Sequence, residues 1–208
     1  MTTKKTKSSE TLNRLDVALA SYNGNAETAL AAITSSDPKL RASGLLALHA
    51  LKKLNHEMLT AALSDSDSTV RRRACELAPS YPGLSLSRAL EDPDPFVVEM
   101  ALWAIGERGK TSELSQLCEI ASSHAEPLVR EAAVASLGAI GDRAGLETVI
   151  SALKDRPNVR RRAAVALAAF EGEEVTEALR AATQDRDWQT RQIAEDLLEI
   201  TEGSEVQT

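Results

Sequence analysis

One phrase, Pro157-Asn158-Val159-Arg160-Arg161-Arg162-Ala163-Ala164-Val165-Ala166-Leu167, returns in altered form along most of this chain, and that recurrence restricts the fold more than any other feature. Set on their first apolar residue, the copies begin Leu40-Arg41-Ala42, Val70-Arg71-Arg72, Val97-Val98-Glu99, Val129-Arg130-Glu131, Val159-Arg160-Arg161 and Thr190-Arg191-Gln192, at steps of 30, 27, 32, 30 and 31 residues. A period of this length means stacked supersecondary units, each needing its neighbours to bury its apolar side.

Each unit reads as a shorter helix, a turn and a longer helix. The first helices are expected near 26–34, 56–64, 83–90, 112–122, 144–153 and 174–183, and the second helices at Pro38, Ser68, Pro95, Pro127, Pro157 and Trp188. Proline suits the first helical position, where its missing N–H would have had no partner. Asp37, Asp67 and Asp94 stand just before these starts and can cap the exposed N–H groups. Gly106, Gly138 and Gly141 are read as closing residues near the ends of the second helices. A helix from Ser9-Glu10 to Tyr22, with Leu12, Leu15, Val17 and Leu19 as its apolar side, precedes the array and caps it. Residues 1–9 and 202–208 are expected to be disordered tails on a single solenoid domain spanning 10–201.

Composition narrows the class. Hydrophobic residues make up 43% of the 208, aromatics only 3%, and alanine and leucine dominate, which favours an all-α fold of closely packed helices. A net charge of −7 argues against a phosphate backbone as partner. Cys75 and Cys118 are too few for a disulfide scaffold or a structural zinc site, and they suit small apolar roles in a reducing compartment. The chain has no apolar run long enough for a membrane span and no signal-peptide core after Met1, so a cytoplasmic, soluble protein with no membrane partner is expected.

A helix followed by Asp-x-x-x-x-Val-Arg-x-x-Ala-x-x-x-Leu at the start of a second helix resembles the HEAT repeat, in the short-period variant of the phycobilin lyases. Asp65 to Val70-Arg71-Ala74-Ala78 carries the pattern, and Asp185 to Thr190-Arg191-Ala194-Leu198 carries it with threonine for valine. The likeness covers about residues 26–200. It implies a right-handed α-α superhelix of about six hairpins, second helices lining a concave face, and each ladder arginine paired with a carboxylate of an adjacent unit. Val98 stands where the third arginine belongs, and His124 and Lys154 where the fourth and fifth aspartates belong, so the ladder is expected to be broken there.

At 100° per residue, positions +4, +7, +8 and +11 from each anchor fall on the buried side and +2, +6 and +9 on the opposite one. The +2 row is Ala42, Arg72, Glu99, Glu131, Arg161 and Gln192, and the +6 row is Leu46, Glu76, Trp103, Ala135, Val165 and Asp196. Trp103 would be either an interface anchor on a small-residue surface, with Gly106 and Gly138 beside it, or a space-filler folded over its neighbours. Trp188 is read as packing on the end of the stack. With Arg71 and Arg160 assigned to the ladder, Arg72, Arg73, Arg161 and Arg162 are left for solvent or a partner, and an acidic peptide suits them better than a duplex.

Little in the sequence points to catalytic chemistry. His49, His56 and His124 fall in different units, and the single His56-Glu57 pair compares with the several that deoxyhypusine hydroxylase, a HEAT-like di-iron enzyme, requires. HEAT-like alkylpurine DNA glycosylases work in a strongly basic cleft, whereas the charge here is mixed. Gly138-Ala139-Ile140-Gly141 follows no strand and is no nucleotide loop. The expectation is a non-catalytic scaffold without cofactor or metal, binding a protein or peptide through Arg72, Arg73, Glu99, Trp103, Glu131, Arg161 and Arg162. The alternatives are a subunit of a lyase-like or other enzyme complex, and nucleic-acid binding through the arginines.

Overall fold

The computed structural model describes residues 12–109 and 112–205, all of whose regular elements are helical. Contacts group the chain into two compact units, residues 1–84 and 85–208. The first holds α1 (Arg14–Tyr22), α2 (Ala26–Ile33), α3 (Pro38–Ala50), α4 (His56–Ala62) and α5 (Ser68–Leu77). The second holds α6 (Pro95–Arg108), α7 (Leu114–Ser123), α8 (Pro127–Ile140), α9 (Leu146–Ala152), α10 (Pro157–Ala166), α11 (Glu173–Ala182) and α12 (Trp188–Glu205).

In the second unit, α6, α8, α10 and α12 pack in that order side by side, while α7 lies against α8 and α9, and α11 against α12. In the first unit α3 packs between α1 and α5. The arrangement is the two-layered helical solenoid expected of hairpins that cannot bury their apolar stripes alone.

All six second helices start where the sequence places them, for a local reason. Asp37, Asp67 and Asp94 accept from the N–H groups of Lys39, Thr69 and Phe96 at 2.9, 2.8 and 2.9 Å, and proline takes the next position in two of those three. Thr190, which replaces the usual valine, is fully buried, and its hydroxyl donates to Asp187 Oδ2 at 3.0 Å, so no polar group is left orphaned. The predicted buried side is also observed: Ala74, Leu77, Ala78, Ala163, Ala166, Leu167 and Phe170 are all buried.

Several expectations are corrected. The helix expected at 83–90 does not form, and only a short 3-10 turn at Ala89–Glu91 is present. Pro82 and Gly83 (φ 88°) begin the stretch, and the Ser85 hydroxyl accepts from the Ser87 N–H, so local turns compete with the helix. Leu84, Leu86 and Leu90 are buried all the same. Ahead of this stretch, Tyr81 Oη lies 2.9 Å from His49 Nδ1, and His56 Nε2 lies 3.0 Å from the Pro82 carbonyl. Burial pushes the Tyr81 phenol up from its ordinary value. The described residues therefore hold two helical hairpins after α1 in the first unit and, in the second, α6, whose first helix is replaced, followed by three hairpins.

The expected start of the first helix at Ser9 and Glu10 lies outside the described residues. The helix begins after Asn13, in a capping box where Asn13 Oδ1 accepts from the Leu15 and Asp16 N–H groups and Asp16 Oδ2 accepts from the Asn13 N–H. Its buried side is Val17 and Ala20; Leu15 and Leu19 point outward. Gly106 and Gly138 sit inside α6 and α8, and the residues that end these helices are Gly109 (φ 76°) and Gly141 (φ 65°). Gly138 is a close-approach point: a Cβ there would lie 2.9 Å from the Ala166 Cα. At the other end of the chain α12 runs on to Glu205, through the polar stretch expected to end the last unit.

Candidate partner-binding site

Two local systems sit side by side in the second unit: the ladder that joins successive repeats, and a hollow on the solvent-exposed side of the second helices.

The ladder works through the three-sided reach of the arginine guanidinium. Arg130 donates from Nε and Nη2 to the two carboxylate oxygens of Asp155, each at 2.6 Å, while Nη1 donates to the His124 carbonyl at 2.7 Å. Arg160 repeats the pattern on Asp185 at 2.9 and 3.0 Å, and Arg41 does so on Asp65 in the first unit. Hydrogen bonding to Arg41 holds the Asp65 carboxyl below the usual carboxylate range, and Arg130 does the same to Asp155. Burial works against ionisation of Asp185, but the Arg160 hydrogen bond and the Asp187 N–H together outweigh it, and its pKa is also lowered.

The expected break at Lys154 is thus not found, because the carboxylate is supplied one residue later by Asp155. At the preceding junction both partners are gone. Val98 is buried and apolar, and His124 keeps only the local half of the aspartate's job: its Nδ1 accepts from the Glu126 N–H at 3.1 Å, as Asp92 Oδ1 accepts from Asp94 and Asp185 Oδ1 from Asp187.

The hollow lies at that same junction. It has a volume of about 320 Å³, with Trp103 and Glu107 of α6, Glu131 and Ala135 of α8, and Arg162 of α10 among its lining residues. Glu99, Trp103 and Glu107 follow at four-residue steps and so form one row along α6. Opposite them, Ala132, Ala135 and Ala139 of α8 are small, which leaves the indole standing over open space. Trp103 is 43% exposed, so it is not sealed between hairpins. Ser136, also in the wall, is spoken for: its Oγ bonds the Leu102 carbonyl at 2.7 Å and the Ala132 carbonyl at 2.9 Å.

Of the seven residues expected at the site, Glu99, Trp103, Glu131 and Arg162 therefore share this hollow. Glu131 accepts from Asn158 Nδ2 at 2.7 Å and lies 3.5 Å from Arg162 Nη2. Arg161 does not line it; its Nε donates to the Pro157 carbonyl and lies 3.5 Å from Asp187, and Nη1 donates to Gln189. Arg72 and Arg73 belong to α5 in the first unit, where Arg72 is exposed and Arg73 pairs with Glu76 at 2.7 Å. Glu107 was missed. Ala42, placed on the open side by the wheel, is buried, since α1 packs on α3 in addition to α5. Trp188 is 64% exposed rather than packed on the stack end. In the first unit a hollow of about 440 Å³ is lined by Arg41 and Asp65, charges that already satisfy one another.

Among the described residues no group of three or more histidines, cysteines, aspartates or glutamates could hold a metal ion. His56, of the His56-Glu57 pair, is turned to the Pro82 carbonyl. None of the described helices is long and apolar enough to cross a membrane.

Comparison with known families bears on the part of the chain that carries the hollow. The model for HEAT repeats matches residues 114–199. These residues are HEAT repeats. No curated protein sequence matches the chain significantly. Among solved structures, human deoxyhypusine hydroxylase in complex with glycerol is similar at 21% identity over 93% of this chain and 82% of that one, with a TM-score of 0.50. At that identity the likeness concerns the HEAT-type fold. A designed armadillo repeat protein aligns at 15% identity over 90% of this chain and 86% of its own, with a TM-score of 0.43.

Proposed function

We propose that this protein is a non-catalytic HEAT-repeat scaffold that holds another protein or peptide against the second-helix face, with Trp103 as the anchor. The observation that carries this reading is the indole itself, 43% exposed above a hollow walled by alanines. A large rigid apolar group beside small neighbours offers a partner area to cover at little entropic cost. The polar groups around it are carboxylates, one arginine and a serine hydroxyl already bonded to two backbone carbonyls, which leaves no nucleophile with a base beside it. A cytoplasmic location belongs to the same proposal and rests on two unbridged cysteines.

The test is Trp103→Ala. Capture of the partner from lysate of the source cells should fall by about tenfold or more, the size of an aromatic hot spot. The melting temperature should drop by only about 2–4 °C, as for about 1 kcal/mol in a chain of this size. A large loss of stability with unchanged capture would make Trp103 a structural residue and end this reading. Retarded migration of short duplex DNA or RNA at low salt, abolished by Arg72→Ala, would favour the arginines as a nucleic-acid surface instead.

A further inference from the structure

The charge around the hollow is not that of a site for an acidic partner. Glu131 and Arg162 lie 3.5 Å apart and largely cancel. Glu99 and Glu107 make no ion pair or side-chain hydrogen bond among the described residues. They stand one helical step on either side of Trp103, each offset by about 6 Å along the helix axis, within reach of a group lying on the ring. Two uncompensated carboxylates thus bracket an exposed indole whose π face is itself electronegative, over a floor of Gly106, Ala132 and Ala135 that can receive an aliphatic stem.

From this charge complementarity we propose that the hollow is a receptor for one arginine side chain of an extended partner segment. The planar guanidinium stacks on Trp103 and donates to Glu99 and Glu107, and its methylenes lie along the α8 alanines. Arginine fits better than lysine, because a flat, weakly hydrated cation can contact a ring and two carboxylates together. This inference rests on the scaffold reading above and names the chemistry of its partner.

The probes are capped glycine–serine hexapeptides carrying one central arginine, lysine, citrulline or glutamate. Titrated into the full chain bearing Trp188→Phe, they are read by the fluorescence of Trp103, then the sole tryptophan. The arginine peptide should give a saturable change. Citrulline, which keeps the shape and loses the charge, should bind at least about fivefold more weakly, and glutamate should give no response. Glu99→Gln with Glu107→Gln should weaken arginine binding by about fivefold or more without moving the melting temperature, since neither side chain has a partner among the described residues. Equal binding of citrulline and arginine, or no saturable response to arginine at millimolar concentration, overturns the proposal. Partner capture separates the two readings. If Trp103→Ala abolishes capture and the double glutamine variant retains it in full, the scaffold reading stands and the arginine receptor falls. If both variants capture normally, the scaffold reading falls too.

Discussion

The α8–α10 and α6–α8 junctions are built from the same repeat and joined in different ways. At the first, Arg130 grips both oxygens of Asp155, in a pair whose side chains are 14% and 19% exposed. At the second, Val98 and His124 occupy the corresponding places, and the link between helices is neutral, with Ser136 Oγ on the Leu102 carbonyl at 2.7 Å. Yet α6 and α8 pack as extensively as any pair of helices in their unit. Apolar packing with one neutral hydrogen bond is therefore sufficient to join two repeats. The ladder tolerates loss when both of its ends are lost together, because no orphan charge is left behind.

The strongest way to break that comparison is to restore half of the missing rung. Val98→Arg would bury a guanidinium with no carboxylate opposite and should cost about 4 kcal/mol in denaturant unfolding. Adding His124→Asp should recover a good part of that loss. If the double variant is no more stable than the single one, the α6–α8 junction cannot accommodate a rung and the two junctions differ in geometry as well as chemistry.

Removing an existing rung comes next. Asp155→Ala strands Arg130 and should cost about 3 kcal/mol. Its pH dependence sharpens the contrast. The folded Asp155 carboxyl titrates below its unfolded value of about 3.9, so its contribution is complete above that value and fades as pH falls through the lower folded pKa. The stability gap between wild type and Asp155→Ala should be constant from neutral pH down to about 4 and narrow below it. A gap that widened in acid would contradict the pairing. The smallest effect belongs to the neutral link: Ser136→Ala should cost about 1 kcal/mol and show no pH dependence in this range.

The second helices were legible because their starts are written locally: a proline at the first position in four of the six, an aspartate just before that position in several, and an apolar anchor two residues on in all but Thr190. At the ladder, what failed was counting across a turn. Asp155 sits one place later than the pattern demands, so fixed spacing found Lys154 and read a break. The missing first helix before α6 had left its trace in the 27-residue step, the shortest in the chain, and in Tyr81-Pro82-Gly83. At the hollow, the wheel found Glu99, Trp103 and Glu131 by reading the +2 and +6 rows, and it overlooked Glu107 because the next position along the same stripe was not followed. Arginine triplets looked available in one dimension. Asp187 and Gln189, the partners of Arg161, come from the following repeat, and Glu131, the partner of Arg162, comes from the preceding one, neither of which a single unit's wheel contains.

The paired absence at Val98 and His124 has one more consequence, for the order in which look-alike modules assemble. A chain of similar hairpins risks docking the wrong neighbours as it folds. Were α6 to settle against α10, skipping α8, Val98 would face Asp155 and a carboxylate would be shut away without its counter-ion. Among the repeats that follow α6, which carry His124, Asp155 and Asp185 at this place, only the one bearing His124 meets it without that penalty, so the gap acts as an address label that tells the third module which sibling comes next.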